Sequence, residues 1–310
     1  MELLVSMAVL GLIVFMISQM TNNAASVVAS SGKHVDTDTE ARVIFNRLAI
    51  EIGGMVKRSE VDYSLFKQPA STLSAVYGSL TEPENLQPGN DQLAFYTETE
   101  GYGNTQLVGG LKANASLVAY QVATDPYTHA PALLRLSQQL GWEPGAGSAW
   151  QAISYLPITM SQQWGSLFSS GSTGDFETVG DQVFRMEYTY LLKPSATGGA
   201  SRLSITPWDV TATTPPHTSI NGFQDVAAIV VTLALLDSRS RAVVSNYQNL
   251  TAIFPDAVDS SGDSTYHGDV AAAWNAKINS STFASQAGIP QSAAGAVRVY
   301  ERSFPLDTPP

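Results

Sequence analysis

Residues able to do chemistry are sparse in this chain, and their spacing is unhelpful for most reactions. The four histidines, His34, His129, His217 and His267, are scattered, and none forms the His-x-x-x-His pair that sets two imidazoles on one zinc ion. Oxygen ligands are denser from Asp256 to Asp269, where the chain reads Asp-Ala-Val-Asp-Ser-Ser-Gly-Asp-Ser-Thr-Tyr-His-Gly-Asp. Asp259, Asp263 and Asp269 are the candidate calcium ligands there. The spacing departs from the EF-hand pattern, which needs acids at alternate positions before the glycine and a glutamate after it. The loop therefore reads as a solvated acidic segment, with no metal expected. Cysteine is absent, which removes thiolate nucleophiles, disulfides and cysteine-ligated metals together. No Gly-x-Ser-x-Gly elbow occurs; Gly145-Ala146-Gly147-Ser148 supplies half of one. Gly101-Tyr102-Gly103 lacks the third glycine and the following helix of a dinucleotide site. No cofactor and no catalytic residue is expected, and the chain reads as a non-enzyme.

The remaining ionisable residue of interest is Glu2, which heads an uncharged run from Leu3 to Gly32. Leu3, Leu4, Val5, Leu10, Ile13, Val14, Phe15 and Ile17 make its first part almost wholly apolar, as a bilayer-spanning helix of roughly 20 residues would be. A carboxylate at the edge of such a helix is costly in lipid and normally has a partner or a task. A cleavable secretory signal would have a basic residue before a shorter apolar core, with cleavage near Ala24-Ala25-Ser26 or Ala29-Ser30-Ser31. A plain membrane anchor accounts for the apolar run but not for Glu2.

A third reading accounts for both. Glu2-Leu3-Leu4-Val5-Ser6-Met7-Ala8-Val9-Leu10 resembles the mature start of type IV pilins and type II secretion pseudopilins. That resemblance implies that Glu2 pairs with the N-terminal amine of a neighbouring subunit. It also implies that Leu3–Met20 moves from the bacterial inner membrane into a bundle of like helices. The family's basic leader, the glycine before the cut and the first mature residues are not in this sequence. A start placed too late or a trimmed chain is the expectation, and Met1 stands where the residue before the glutamate would be.

Behind this segment the elements become legible by period. Ala41, Ile44, Phe45, Leu48, Ile52, Met55 and Val56 recur at steps of three and four, the mark of a half-buried helix. Arg42, Asn46, Arg47 and Glu51 are expected largely on the other side. Leu3 to about Ile52 reads as one helix of about 75 Å ended by Gly53-Gly54, with two helices hinged at Ser31-Gly32 as the alternative. Beyond residue 60 the pattern turns to strands: Gln92–Thr97, Ser116–Val122, Ala132–Leu136, Asp181–Leu192, Val226–Leu236 and Ala296–Phe304. Phe184, Met186, Tyr188 and Tyr190 alternate with Val183, Arg185, Glu187 and Thr189, predicting one buried aromatic face. Ala227–Leu236 reads as a central strand, and Asp269–Ile278 as a short helix. Trp150, Trp164, Leu167 and Phe168 are candidate core residues.

The order of these elements is similar to that of the J-type minor pseudopilins. It is closer still to the pilin-like group called Verru/Chthon cassette protein C, which shares the insert between Leu236 and Ala296. The expected fold is α+β: a long N-terminal helix, apolar in its lower half, packed on an antiparallel β-rich domain of pilin-like build. The expected division is residues 1–30 as membrane or filament helix, 31–56 as its amphipathic continuation, and 57–310 as the globular domain with its insert at about 237–295. The resemblance implies a structural minor subunit of a filament or its tip, with other pilin or pseudopilin subunits as partners and a possible secreted cargo. Localisation would be single-pass in the inner membrane, with the domain outside the cytoplasm, then in a periplasmic or surface filament. The alternative is a membrane-tethered or secreted binding module that never polymerises. A formal net charge of −11, from 16 basic and 27 acidic residues, excludes a nucleic-acid partner as the default, since such binding depends on clustered Lys and Arg.

Overall fold

A computed structural model describes residues 2–56, 64–66, 90–99, 115–125, 128, 130–139, 142–144, 150–152, 176–194, 201–204, 226–256 and 269–306. Helix α1 runs unbroken from Glu2 to Gly53, and its 52 residues span about 78 Å. It passes through Gly32 without the hinge that the sequence left open. It stops where Gly53 and Gly54 meet the first strand contact: Met55 bridges to Thr97, and Val56 N donates to Tyr96 O at 2.8 Å. Met55 is therefore buried as part of the sheet margin, not as the last helical turn.

The strands, all antiparallel, are β1 (Ser64–Phe66), β2 (Gln92–Thr97), β3 (Ser116–Thr124), β4 (Pro131–Gln139), β5 (Trp142–Pro144), β6 (Trp150–Ala152), β7 (Glu177–Gly180), β8 (Val183–Leu192), β9 (Arg202–Ser204), β10 (Val226–Leu236) and β11 (Val297–Pro305). They form a five-stranded sheet ordered β1-β2-β3-β4-β7, a four-stranded sheet ordered β11-β10-β8-β9, and the small β5-β6 pair. With the helix, these sheets make the protein a mixed α+β fold. Asp181 and Gln182, expected inside a strand, form the turn that carries the chain from β7 in one sheet to β8 in the other. A second junction lies at the start of β2, where Asn90 Oδ1 accepts from Met186 N at 2.6 Å and Asp91 Oδ2 from Tyr188 N at 3.0 Å. These side chains satisfy backbone donors on the margin of β8 that no strand reaches, as buried amides require.

One core joins all three layers. Ala41, Ile44, Phe45, Leu48 and Ile52 of α1 pack with Leu93, Phe95, Val118, Tyr120, Val122 and Leu133 of the first sheet, and with Met186, Tyr188, Tyr190, Ile229, Val231 and Leu233 of the second. Gly180 lets the helix approach this closely. A Cβ there would lie 2.6 Å from Ile44 Cδ1 and 3.0 Å from Val183 Cγ2.

The far face of the second sheet is not open to water. Arg185, Glu187 and Thr189 are 0, 1 and 2% exposed, correcting the expectation of a single buried face on this strand. A β-bulge adds Phe184 to this face. Leu235 pairs with Val183 and Ala234 with Arg185, so Phe184 is the extra residue and turns to the far side. There it enters a second core built by the insert helices α2 (Ser238–Arg241), α3 (Tyr247–Ala252), α4 (Val270–Ile278), α5 (Phe283–Ala287) and α6 (Gln291–Ala294). Phe254 stands edge-on to Phe184, Trp274 and Phe283 at centroid distances of 5.4, 5.3 and 5.9 Å. The first three start on side-chain caps: Asp237 Oδ1 for α2, Asn246 Oδ1 for α3 and Asp269 Oδ1 for α4. Trp164, Leu167 and Phe168 lie outside the described residues, as does the side chain of Trp150.

Candidate functional site

The feature most unlike an ordinary soluble domain is the lower half of α1. From Ser6 to Ala24 it is long and apolar enough to cross a membrane, and none of it is buried against the rest of the protein. Its length, composition and place near the N-terminus are those of a membrane anchor or of a signal sequence. Leu10, Phe15 and Met20 are 62, 61 and 73% exposed, and Ile13, Val14 and Ile17 are 48, 55 and 58% exposed. Ten large apolar side chains stand exposed on this stretch, a run of apolar surface of the kind that marks a protein or membrane interaction site. Full burial of each is worth about 1.5–3 kcal/mol and about half of each is exposed, so covering the stalk stabilises it by on the order of 10 kcal/mol. Its polar atoms are kept quiet by the helix itself, as where Thr21 Oγ1 donates to Ile17 O at 2.9 Å. The backbone of α1 includes Glu2, Leu3, Leu4 and Val5, whose side chains lie outside the described residues.

The upper half is seated by contacts on two lines. Along β11, which runs the same way as the helix, Arg298 Nη2 donates to His34 Nε2 at 2.7 Å. Tyr300 Oη bonds Thr37 Oγ1 at 2.9 Å and also the Asp38 carboxylate, and Arg302 Nη1 donates to Asn46 Oδ1 at 3.0 Å. Burial, and then the Asp38 bond, push the Tyr300 hydroxyl up to about 12, so it remains a donor through the physiological range.

The second line is ionic and buried. Glu51, expected on the open side of the helix, is 2% exposed and is the correction with most consequence for the site. Its Oε1 accepts from Arg135 Nε at 2.9 Å and Nη2 at 2.5 Å, and from Arg47 Nε at 3.2 Å. Its Oε2 takes the Tyr120 hydroxyl, and Arg135 Nη1 continues to the Glu177 carboxylate. Burial strongly raises the Tyr120 hydroxyl's pKa, and the Glu51 charge beside it adds to this. Burial alone would lower that of Arg135, but the Glu51 bonds and charge outweigh it and leave the guanidinium above its ordinary value. A carboxylate satisfied by three donor groups has little reactivity to spare, and the cluster ties α1 to β3, β4 and β7. Arg185 does the same for the insert: its Nη2 reaches Glu187 Oε1 at 2.8 Å and the Asp256 carboxylate, and the guanidinium lies 5.6 Å from the Trp274 ring centroid.

Among the acidic-loop residues, Asp269 caps α4 by accepting from Ala272 N at 2.9 Å. Asp259 and Asp263 lie outside the described residues. Among the described residues no group of three or more His, Asp or Glu is placed to hold a metal ion. No family model matches this chain, and no curated protein matches it. The apolar stalk was visible in the sequence as a run. The Glu51–Arg135 pair was not, because its partners are 84 residues apart.

Proposed function

We propose that this protein is a structural subunit of a pilin-like filament or of its tip, held in a membrane by α1 before assembly. One observation carries the reading: a single unbroken helix whose lower 19-residue apolar stretch is bare while its upper half is built into the domain core. A soluble binding domain has no use for a bare apolar stalk continuous with its core helix. A subunit that must exchange lipid for neighbouring helices needs one, because apolar surface is covered in both states and the exchange lies near balance. The resemblance of Glu2-Leu3-Leu4-Val5 to the start of mature pilins and pseudopilins supports the same reading and gives Glu2 its part. Its charge is costly in lipid and is stabilised beside a partner's cation, which favours assembly and fixes register. The β-rich domain and its helical insert would then face other minor subunits or cargo outside the cytoplasm, with no nucleic acid involved.

The test compares Glu2→Ala, Glu2→Gln and the unaltered chain, each expressed at full length. Both variants are expected in the membrane fraction at the unaltered level, since losing a charge favours lipid, and both are expected to be depleted from sheared filaments or co-purified minor subunits. Gln keeps size and hydrogen bonding, so equal depletion of both variants assigns the effect to charge. Equal recovery of all three chains would refute the assembly role and leave a membrane-tethered module.

A further inference from the structure

The upper half of α1 also carries apolar side chains that its own chain leaves uncovered. Val35, Val43 and Ile50 are each more than half exposed, although the opposite side of the same helix is built into the core. At about 100° per residue the three fall within one sector of roughly 80°. A bilayer that takes Ser6–Ala24 does not reach them, since Ile50 stands about 39 Å beyond Ala24 along the helix. Gly32 lies in the same sector. A Cβ there would meet nothing within 4 Å, so no contact inside the chain accounts for a glycine in mid-helix. Charges of opposite sign flank the stripe. Asp36 borders one side and Arg42 the other, about 120° apart around the helix, and both are exposed. Their neighbours are engaged within the chain, Asp38 with Tyr300 and Arg47 with Glu51. Asp36 and Arg42 have no ion pair or side-chain hydrogen bond among the described residues.

We infer that this face docks the same helix of a second copy, with Asp36 of one copy against Arg42 of the next and the Val35–Val43–Ile50 stripe turned toward their shared axis. The inference rests on the filament reading and deepens it, by naming what covers the helix beyond the membrane. Two observations favour a second copy over another partner. The stripe continues the bare stalk along one unbroken helix, so whatever covers the stalk is already alongside. The face also carries both halves of its own charge complement, on the two flanks where adjacent helices of a bundle touch. Asp36 and Arg42 are six residues apart, so bringing them level offsets adjacent copies by about 9 Å along the axis. Covering the stripe favours the contact, and the exposed ion pair chiefly selects the offset. Because the contact joins unlike flanks at an offset, repetition winds copies into an open helical array and does not close a ring.

The chain has no cysteine, so engineered thiols report alone. Two full-length forms with different tags, Asp36→Cys and Arg42→Cys, are co-expressed, and membranes and sheared filaments are oxidised with copper phenanthroline. The mixed 36–42 disulfide should form. Same-residue pairs would stand at least about 9 Å apart, beyond the roughly 7 Å between Cα atoms that a disulfide spans, so those products should be nearly absent. In cysteine-free chains, Asp36→Arg and Arg42→Asp each set like charges together and should lower recovery with sheared filaments several-fold. The double reversal should restore recovery. Membrane level and thermal unfolding should stay unchanged throughout, because both side chains are exposed. Same-residue disulfides as abundant as the mixed one, or single reversals recovered at the unaltered level, would overturn the contact. Depletion of the Glu2 variants without an effect of the charge reversals would leave the filament reading standing and remove this one. Should the Glu2 variants be recovered fully, the filament reading falls, and the mixed disulfide in membranes decides the contact by itself.

Discussion

Replacing Glu51 by Gln tests how the helix is fastened to the sheets. The change is nearly isosteric, so packing by Leu48 and Ile52 is kept, and the Thr97 Oγ1 bond to the Glu51 carbonyl at 2.9 Å is untouched. What is lost is the charge that faces Arg135, a side chain only 1% exposed. Leaving one member of a buried pair uncompensated costs about 3–5 kcal/mol. Arg135 keeps its bond to Glu177, whose side chain is 44% exposed, so the lower end, about 3 kcal/mol, is expected. For a domain of this size that is roughly 6–12 °C in melting temperature. The assay is denaturant unfolding in micelles, run as a double-mutant cycle with Arg135→Met. Removing both charges should recover a substantial part of the loss, with a coupling of about 2 kcal/mol or more. A loss below about 1 kcal/mol, or strictly additive single changes, would show that the cluster fastens nothing.

Gly180→Ala should cost about 1–3 kcal/mol through the clash with Ile44, and Ile44→Val in the same chain should return part of it; full stability of the single variant would show that the helix can shift freely. A chelator should leave the melting temperature unchanged, whereas a drop of many degrees reversed by calcium would turn Asp259, Asp263 and Asp269 from a solvated loop and a helix cap into ligands.

Local order was readable wherever one period ruled. The α1 face from Ala41 to Ile52, the strands from Gln92, Ser116 and Val226, and the helix capped by Asp269 all stand within a few residues of where periodicity and turn residues put them. Glu51 was misplaced for a physical reason. It sits three residues after Leu48, inside the apolar stripe, but its charge argues for water unless a buried cation is known to wait there. Arg135 is that cation, and nothing local to either residue announces the other. Arg185 and Glu187 mislead in the same way. Alternation places them opposite the aromatic face, and the exposed status that this suggests fails because the insert brings Trp274 and Phe254 onto Arg185, which in turn bonds Glu187. The flip of Phe184 rests on one unpaired residue in the ladder, a feature of pairing that a single strand does not display.

The parallel course of α1 and β11 has a mechanical consequence. A tensile load applied along the stalk meets the His34–Arg298, Thr37–Tyr300 and Asn46–Arg302 contacts broadside, together with the Glu51–Arg135 cluster at the far end. These fastenings lie along the line of pull, so they resist as a set in shear and do not peel apart one after another. The helix then behaves as a tie rod bolted along its length, and force entering at Ser6 is distributed over both sheets before any single bond must yield.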